Sequence, residues 1–414
     1  MTTMRLRHLA DVNPATKAFD ELKDEEKLTF LPMEAVWPGE RLDLSRRRAK
    51  ATVATGYTRF QDGDVLVPKI TPTFEAGRAV LVSGLLGGVG AGTTELHVLR
   101  PGPRIEPRFL FYVVNTHSFL KLGEAEMYGV AGQQRVPDTF LRDFAIKLPV
   151  LEEQRRIADF LDAEIARIDR LTTLQIMVLE KLDERETAML DLAIDELIGR
   201  AGTRPLRRHI WSVDQGTSPQ CDAIPAEEDE WGVLKVSCLR PGEFFAQENK
   251  RLPDETAPDV SSEVCEGDLL ITRANTPQLV GSTAVVGQVR SKLLLSDKIF
   301  RVRLEKTMLP DFVATVARGS RIRAMCSASS NGASQSMANI RFEEVKAWPM
   351  PAVALSEQVK FVNRIRESRA SVERLRPLVK QQLKLLAERR QALITATVTG
   401  QFDVSSASGR GVEA

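Results

Sequence analysis

The 414-residue sequence predicts an α+β protein made by duplication: two mixed α/β domains, each followed by a long α-helix, the two helices pairing with each other. Three observations predict this. Between Glu153 and Ile198, apolar residues fall at Ile157, Leu161, Ile165, Ile168, Leu171, Leu174, Val178 and Leu182, with charged residues between them. Steps of three and four are the spacing of a helix with one apolar face, sustained here over more turns than a globular helix usually has. Unbroken, it would be a rod of roughly 65–70 Å at about 1.5 Å per residue, and its stripe needs a second helix to cover it. The second observation supplies that helix. The pattern returns between Met350 and Gly400, where Glu357-Gln358 and Ala387-Glu388-Arg389 match Glu153-Gln154 and Asp183-Glu184-Arg185 at one constant offset. Third, Gly63-Asp64-Val65-Leu66-Val67 recurs at that same offset as Gly267-Asp268-Leu269-Leu270-Ile271, so the repeat extends into the globular parts.

The expected organisation is a first domain over 1–147, a helix over 148–200, a second domain over 201–349, a helix over 350–401 and a disordered tail over 402–414, rich in Ser and Gly from Val404. Leu6-Arg7-His8-Leu9 and Leu206-Arg207-Arg208-His209-Ile210 open the two halves alike. In the first domain, short β-type runs at Val65–Val67, Ala79–Ser83 and Leu96–Leu99 are separated by Gly and Pro, and a helix is expected over Pro107–Leu122. Gly84–Gly92 lacks the GK[ST] ending of a phosphate loop and the dinucleotide glycine spacing, so it reads as a flexible β-turn loop. In the second domain the strand at Gly267 leads into a polar, basic loop, then to a β-run at Thr283–Val286 and on to Ser296-Asp297-Lys298-Ile299-Phe300-Arg301-Val302-Arg303. Glu227–Glu230 reads as an exposed loop. Pro377 interrupts the second apolar stripe and should kink that helix or start a new one.

Composition narrows the function. With 43% hydrophobic and 27% charged residues, the chain has an ordinary soluble composition. Its beginning carries no apolar signal core and no apolar run reaches membrane-spanning length, so a cytoplasmic protein without membrane contact is expected. The four cysteines, Cys221, Cys238, Cys265 and Cys326, form no CxxC pair, which fits reduced thiols rather than a disulfide frame or zinc site. Lys and Arg total 57 against 56 Asp and Glu, so any nucleic-acid role rests on local clusters or on partners. Four histidines (His8, His97, His117, His209) show neither metal-ligand spacing nor a neighbouring nucleophile. There is no Asn/Asp-Pro-Pro-aromatic tetrapeptide of the amino-methyltransferase kind and no nuclease-like carboxylate set. No catalytic site or cofactor is expected in this chain.

The chemistry-bearing positions lie where strands run into loops. Lys69, Thr71, Thr73 and Arg78 follow the first strand, and Gln133-Gln134-Arg135 form a polar loop later in the same domain. Arg273, Asn275, Thr276 and Gln278 occupy the corresponding loop of the second domain, with Ser334-Gln335 in what looks like its late loop. Amide and guanidinium groups have the donors that suit adenine and guanine edges, so these thirteen residues are the candidate DNA contacts. Each could equally be plain polar surface. Arg46-Arg47-Arg48 with Lys50 is the densest basic run, and reads as either solvated surface or a phosphate contact.

Taken together, these motifs resemble one family. LPVLEEQRRI at 148–157, Ile168-Asp169-x-Leu171 and Leu182-x-Glu184-Arg185, with the second cassette at Met350-Pro351, Glu357-Gln358 and Leu386-Ala387-Glu388-Arg389-Arg390, are similar to those of the specificity (S) subunit of type I restriction-modification systems, over nearly the whole chain. GDVLVPKITP from Gly63, TELHVLRP from Thr94, GDLLITRANTP from Gly267 and DKIFRVR from Asp297 extend the resemblance into the globular parts. It implies two target recognition domains, each reading one half of a split, asymmetric site in double-stranded DNA. The helices would pair as an antiparallel coiled coil, act as a spacer and dock two methyltransferase (M) subunits, with motor-nuclease (R) subunits joining for restriction. AdoMet would be bound by M, and ATP with magnesium by R. Two other classes remain: a methyltransferase, which would transfer methyl groups from AdoMet unaided, and a coiled-coil adaptor, which would show no sequence-selective DNA binding even beside M.

Overall fold

In a computed structural model of the chain, residues 2–36, 42–130, 132–329 and 338–404 are described. They fall into two units, Met1–Ile176 with Lys380–Ala414, and Met177–Val379.

The first unit contains two four-stranded sheets. The strands of these two sheets are β1 (Ala10–Val12), β2 (Lys27–Leu31), β3 (Arg47–Ala49), β4 (Thr58–Gln61), β5 (Val65–Pro68), β6 (Val80–Leu81), β7 (Val89–Gly92) and β8 (Leu96–Pro101). One sheet has the order β1-β8-β5-β6 and is antiparallel throughout; the other has the order β3-β2-β7-β4, with β2 and β7 parallel. The Gly-Asp motif explains how β5 begins. Gly63 takes φ +89°, which costs a residue without Cβ little, and the Asp64 carboxylate accepts the Gln61 N–H at 2.9 Å. Asp64 is 1% exposed and also takes two hydrogen bonds from Arg100, at 2.8 and 2.9 Å. The strand it launches is buried along its whole length.

Two expectations for this unit are corrected. The helix foreseen over Pro107–Leu122 is two helices, α1 (Pro107–Val114) and α2 (His117–Ala125). Asn115 turns its amide onto the Phe111 carbonyl at 2.8 Å, and Thr116, in extended conformation, caps α2 through the Phe119 N–H at 3.3 Å. Both side chains compete with the helix for backbone groups. The stretch Gly84–Gly92, read as a flexible loop, ends in β7, a buried inner strand. Its glycines serve close packing: a Cβ on Gly90 would lie 2.3 Å from the Phe60 ring, and one on Gly92 2.4 Å from the Leu31 carbonyl oxygen. As for the basic run, Arg46 pairs with Glu34 at 2.7 Å, Arg48 lies 4.0 Å over the Phe30 ring, and Lys50 donates to the Asp20 and Leu22 carbonyls, so most of it is engaged within the fold.

α3 (Leu151–Ala201) follows as one 51-residue helix. In the second unit come β9 (Ile210–Gln215), β10 (Leu269–Thr272), β11 (Ala274–Asn275), β12 (Thr283–Val285), β13 (Ile299–Leu304), α4 (Pro310–Val316), α5 (Ser320–Ser329), β14 (Ala338–Asn339) and α6 (Leu355–Val398). Its antiparallel sheet β9-β13-β10-β12 repeats the order of β1-β8-β5-β6. The register repeats as well: Val65 faces Leu99, as Leu269 faces Val302. Gly267 (φ +87°) and Asp268, which accepts the Cys265 N–H at 2.9 Å, launch β10 as Gly63 and Asp64 launch β5.

The long helices pair antiparallel. In the second unit Arg376 reaches Glu186 at 3.3 Å while Arg364 reaches Glu196 at 3.2 Å, so ascending α3 meets descending α6. Leu190, Ile194 and Leu197 pack there with Phe361 and Ile365. In the first unit, Ile157, Leu161, Ile165 and Ile168 share a core with Ile394 and Val398, and Arg390 approaches Asp169 at 3.4 Å. The expected stripe is not buried throughout: Leu171, Leu174 and Val178 are 41%, 48% and 42% exposed. With about 3.6 residues per turn, three successive steps of three carry Leu174 half a turn away from Ile165. α6 runs through Pro377 without a new helix beginning there. Residues 405–414 of the foreseen tail lie outside the described residues.

Candidate nucleic-acid interface

Where β5 ends in the first unit, Lys69 begins a short ladder. Its N–H donates to the Glu95 carbonyl at 2.8 Å and its carbonyl accepts the Val136 N–H at 2.9 Å. The Thr71 N–H donates to the Gln134 carbonyl at 3.0 Å, and the Thr71 hydroxyl accepts the Gln134 N–H at 3.2 Å. The structure therefore brings Lys69, Thr71 and Gln133–Arg135 into one crevice, rimmed by the exposed Tyr128.

Not every candidate side chain is free. Arg135 donates twice to Glu95, at 2.9 and 2.8 Å, which pulls that carboxyl below its usual range and makes Arg135 a latch on its own loop. The Lys69 ammonium donates to the Thr94 carbonyl at 2.8 Å, and burial pushes its pKa down, with Glu95 opposing. Thr73 is buried, its hydroxyl on the Ile70 carbonyl at 2.6 Å; Arg78 sits on the turn beyond, its N–H 3.4 Å from the Thr73 carbonyl. Among the described residues the side-chain amides of Gln133 and Gln134 have no hydrogen-bond partner, and Gln133 is exposed. Beneath the loop lies His97, 4% exposed, between the Val136 carbonyl (3.0 Å from Nε2) and the Asn13 amide (3.1 Å from Nδ1). Burial pushes its pKa down to about 4, so the ring is neutral.

The second unit builds the same ladder with different side chains. The Arg273 N–H donates to the Lys298 carbonyl at 2.7 Å, and the Arg273 carbonyl accepts the Ile340 N–H at 2.9 Å. The Arg273 guanidinium donates to the Asp297 carbonyl at 3.2 Å, as Lys69 does to Thr94. Asn275 pairs with Ala338 as Thr71 pairs with Gln134. Asn275 is itself buried, its carboxamide oxygen accepting the Thr276 N–H at 2.8 Å, whereas Thr276 and Gln278 are exposed. Ser334 and Gln335 lie outside the described residues.

By these bonds Lys69 corresponds to Arg273, Thr71 to Asn275, Glu95 to Lys298 and Arg135 to Asn339. Asn339, exposed on β14, and Lys298 were missed by sequence reasoning. The signal for Asn339 was present: it follows Arg135 at the offset that separates Gln358 from Gln154. Among the described residues no group of three or more His, Cys, Asp and Glu could hold a metal ion, and no helix is long and apolar enough to cross a membrane.

Comparison with known proteins matches this doubled architecture. Residues 85–181 match the family described as type I restriction modification DNA specificity domain. The type I restriction enzyme EcoEI specificity subunit of Escherichia coli is 29% identical over 458 residues, covering 87% of this chain and 76% of that protein. The EcoAI specificity subunit of Escherichia coli is 40% identical over 156 residues, 37% of this chain and 26% of that one. In fold, the chain is similar to one from a solved structure concerned with complex assembly and conformational transition of the type I R-M system, with a TM-score of 0.70 at 18% identity, covering 97% and 98% of the two chains. Over most of its length the chain is thus similar to the specificity subunits of type I restriction-modification systems, the non-catalytic subunits that recognise DNA.

Proposed function

We propose that each unit reads one half of a bipartite, asymmetric site in double-stranded DNA through its crevice. The observation that carries this is the doubled ladder: one set of main-chain bonds presents Lys69, Thr71 and Arg135 in one unit, and Arg273, Asn275 and Asn339 in the other. A scaffold repeated with its side chains changed suits two half-sites of unlike sequence. Gln133 and Gln134 are the open donors of the first crevice, suited to adenine; Arg273 suits guanine, and Asn339 adenine, in the second. Thr276 and Gln278 flank that second set, and Ser334 and Gln335, outside the described residues, are further candidate contacts.

The paired helices set the distance between half-sites and dock two methyltransferase (M) subunits, with motor-nuclease (R) subunits joining for restriction. AdoMet belongs to M, and ATP with magnesium to R. The charge balance of the chain fits a subunit that leaves part of the phosphate binding to these partners. Methylome sequencing of a host carrying this chain with its M subunit tests the reading. The expected result is a modified motif of two defined blocks separated by unread bases. One contiguous motif, or modification independent of the chain, would overturn it.

A further inference from the structure

The second unit holds a cavity of about 360 Å³ whose lining includes Lys235, Lys250, Lys298, Ser218 and Ser296 and contains no Asp or Glu. Lys235 is paired with Glu248 at 3.0 Å, but among the described residues the ammonium groups of Lys250 and Lys298 have no partner. Ser296 is 5% exposed and its hydroxyl has no hydrogen-bond partner. A buried hydroxyl left without an acceptor is destabilising, and unpaired ammonium groups along one wall repel each other. A single tetrahedral anion would satisfy both. The nearby Asp297 carboxylate is not part of the lining and is held by the Ser218 hydroxyl.

The position of the cavity indicates the source of that anion. The Lys298 carbonyl is the acceptor that fixes the Arg273 N–H, so the cavity adjoins the second reading crevice. We propose that it seats one phosphate of the DNA backbone, held by Lys250 and Lys298 with a hydrogen bond from Ser296, which sets the register in which Arg273 and Asn339 meet the bases. This rests on the DNA-reading role of the second unit.

The test uses the complex of the full chain with its M subunit. Binding to target and non-target duplexes is measured from 50 to 200 mM salt, for the wild type and for the double variant Lys250→Gln, Lys298→Gln. Loss of one phosphate contact should make the slope of log K against log salt shallower by about 0.9. Affinity should fall several-fold by the same factor on both duplexes, with the recognised sequence unchanged. A target duplex with one neutral methylphosphonate, scanned along the second half-site, should weaken the wild type at one position and leave the double variant indifferent there. Selective binding with an unchanged slope overturns this proposal alone, as does a changed base preference. So does binding of inorganic phosphate to the cavity, lost in the variant, while the salt slope stays as it was, because the site would then serve a free anion. A wild-type complex without selective DNA binding overturns this proposal together with the recognition reading.

Discussion

Gln154 and Gln358 make the same three hydrogen bonds in the two units. The Gln154 carboxamide oxygen accepts the Glu106 N–H at 2.9 Å, and its nitrogen donates to the carbonyls of Arg104 (3.1 Å) and Pro149 (2.9 Å). Gln358 accepts from Leu309 at 2.9 Å and donates to Thr307 (3.0 Å) and Val353 (3.1 Å). Each amide thus ties the start of a long helix to the residue immediately before α1 or α4, and each is fully buried. The Glu-Gln motif is a structural clamp.

Gln358→Ala should therefore leave one N–H and two carbonyls without their partner. At about 1–3 kcal/mol for a stranded buried group, partly relieved by relaxation, the expected cost is roughly 2–4 kcal/mol. Urea unfolding measures it. A loss under about 1 kcal/mol would mean that water replaces the amide and that the motif has another purpose.

Arg273→Ala should relax selection at one half-site only. A guanidinium contact to guanine contributes about 1–3 kcal/mol of discrimination. Methylation-site mapping of the variant with M should show the half-site of the first unit unchanged. An equal drop on every sequence would make Arg273 a phosphate contact; Asn339→Ala, tested alongside, should alter the same half-site as Arg273→Ala.

His97 gives the first unit a pH dependence. Its pKa is depressed from 6.5 to about 4 by burial, so between those values the unfolded chain binds the proton and the folded chain does not. The stability tied to the neutral ring is complete above pH 6.5 and falls as the pH drops towards 4, by about 1.4 kcal/mol per pH unit and ~3 kcal/mol in all. Denaturant midpoints of the wild type and His97→Gln at pH 7 and pH 4.5 measure it. Equal pH slopes in the two proteins would refute the assignment.

Pro377 leaves the Glu373 carbonyl without its helical donor inside α6. Pro377→Ala restores that N–H, and should raise thermal stability by about 1–3 kcal/mol. An unchanged or lowered midpoint would show that the packing around residue 377 depends on the ring.

The doubled plan and its strands were legible because they depend on local pattern. Gly63-Asp64 and Gly267-Asp268 mark turns that only those residue types make cheaply, and β5 and β10 are continuous apolar runs. What escaped was set by distant contacts. Gly90 and Gly92 look like a loop until Phe60 and Leu31 are placed against them. The rotation of the α3 stripe past Ile168 was readable from the step lengths but needed the burial pattern to reveal it. In the crevices, Lys69, Thr71 and Arg273 were visible at strand ends, yet the polar composition of 331–336 drew attention from Asn339, which the repeat offset alone identifies. The engagement of Arg135 with Glu95 could not be read from either residue's neighbours in sequence.

The crevice ladders are made by main-chain N–H and carbonyl groups: Lys69 to Glu95 and Val136, Arg273 to Lys298 and Ile340. Main-chain bonds are indifferent to the side chain above them. Substitutions at the exposed rungs can therefore accumulate without loosening the frame, and such a protein can drift from one target sequence to another in single steps, each of them folded. If each unit reads its own half-site, as proposed above, one crevice can change its target while the other keeps its own, so that new combinations arise from parts already in use.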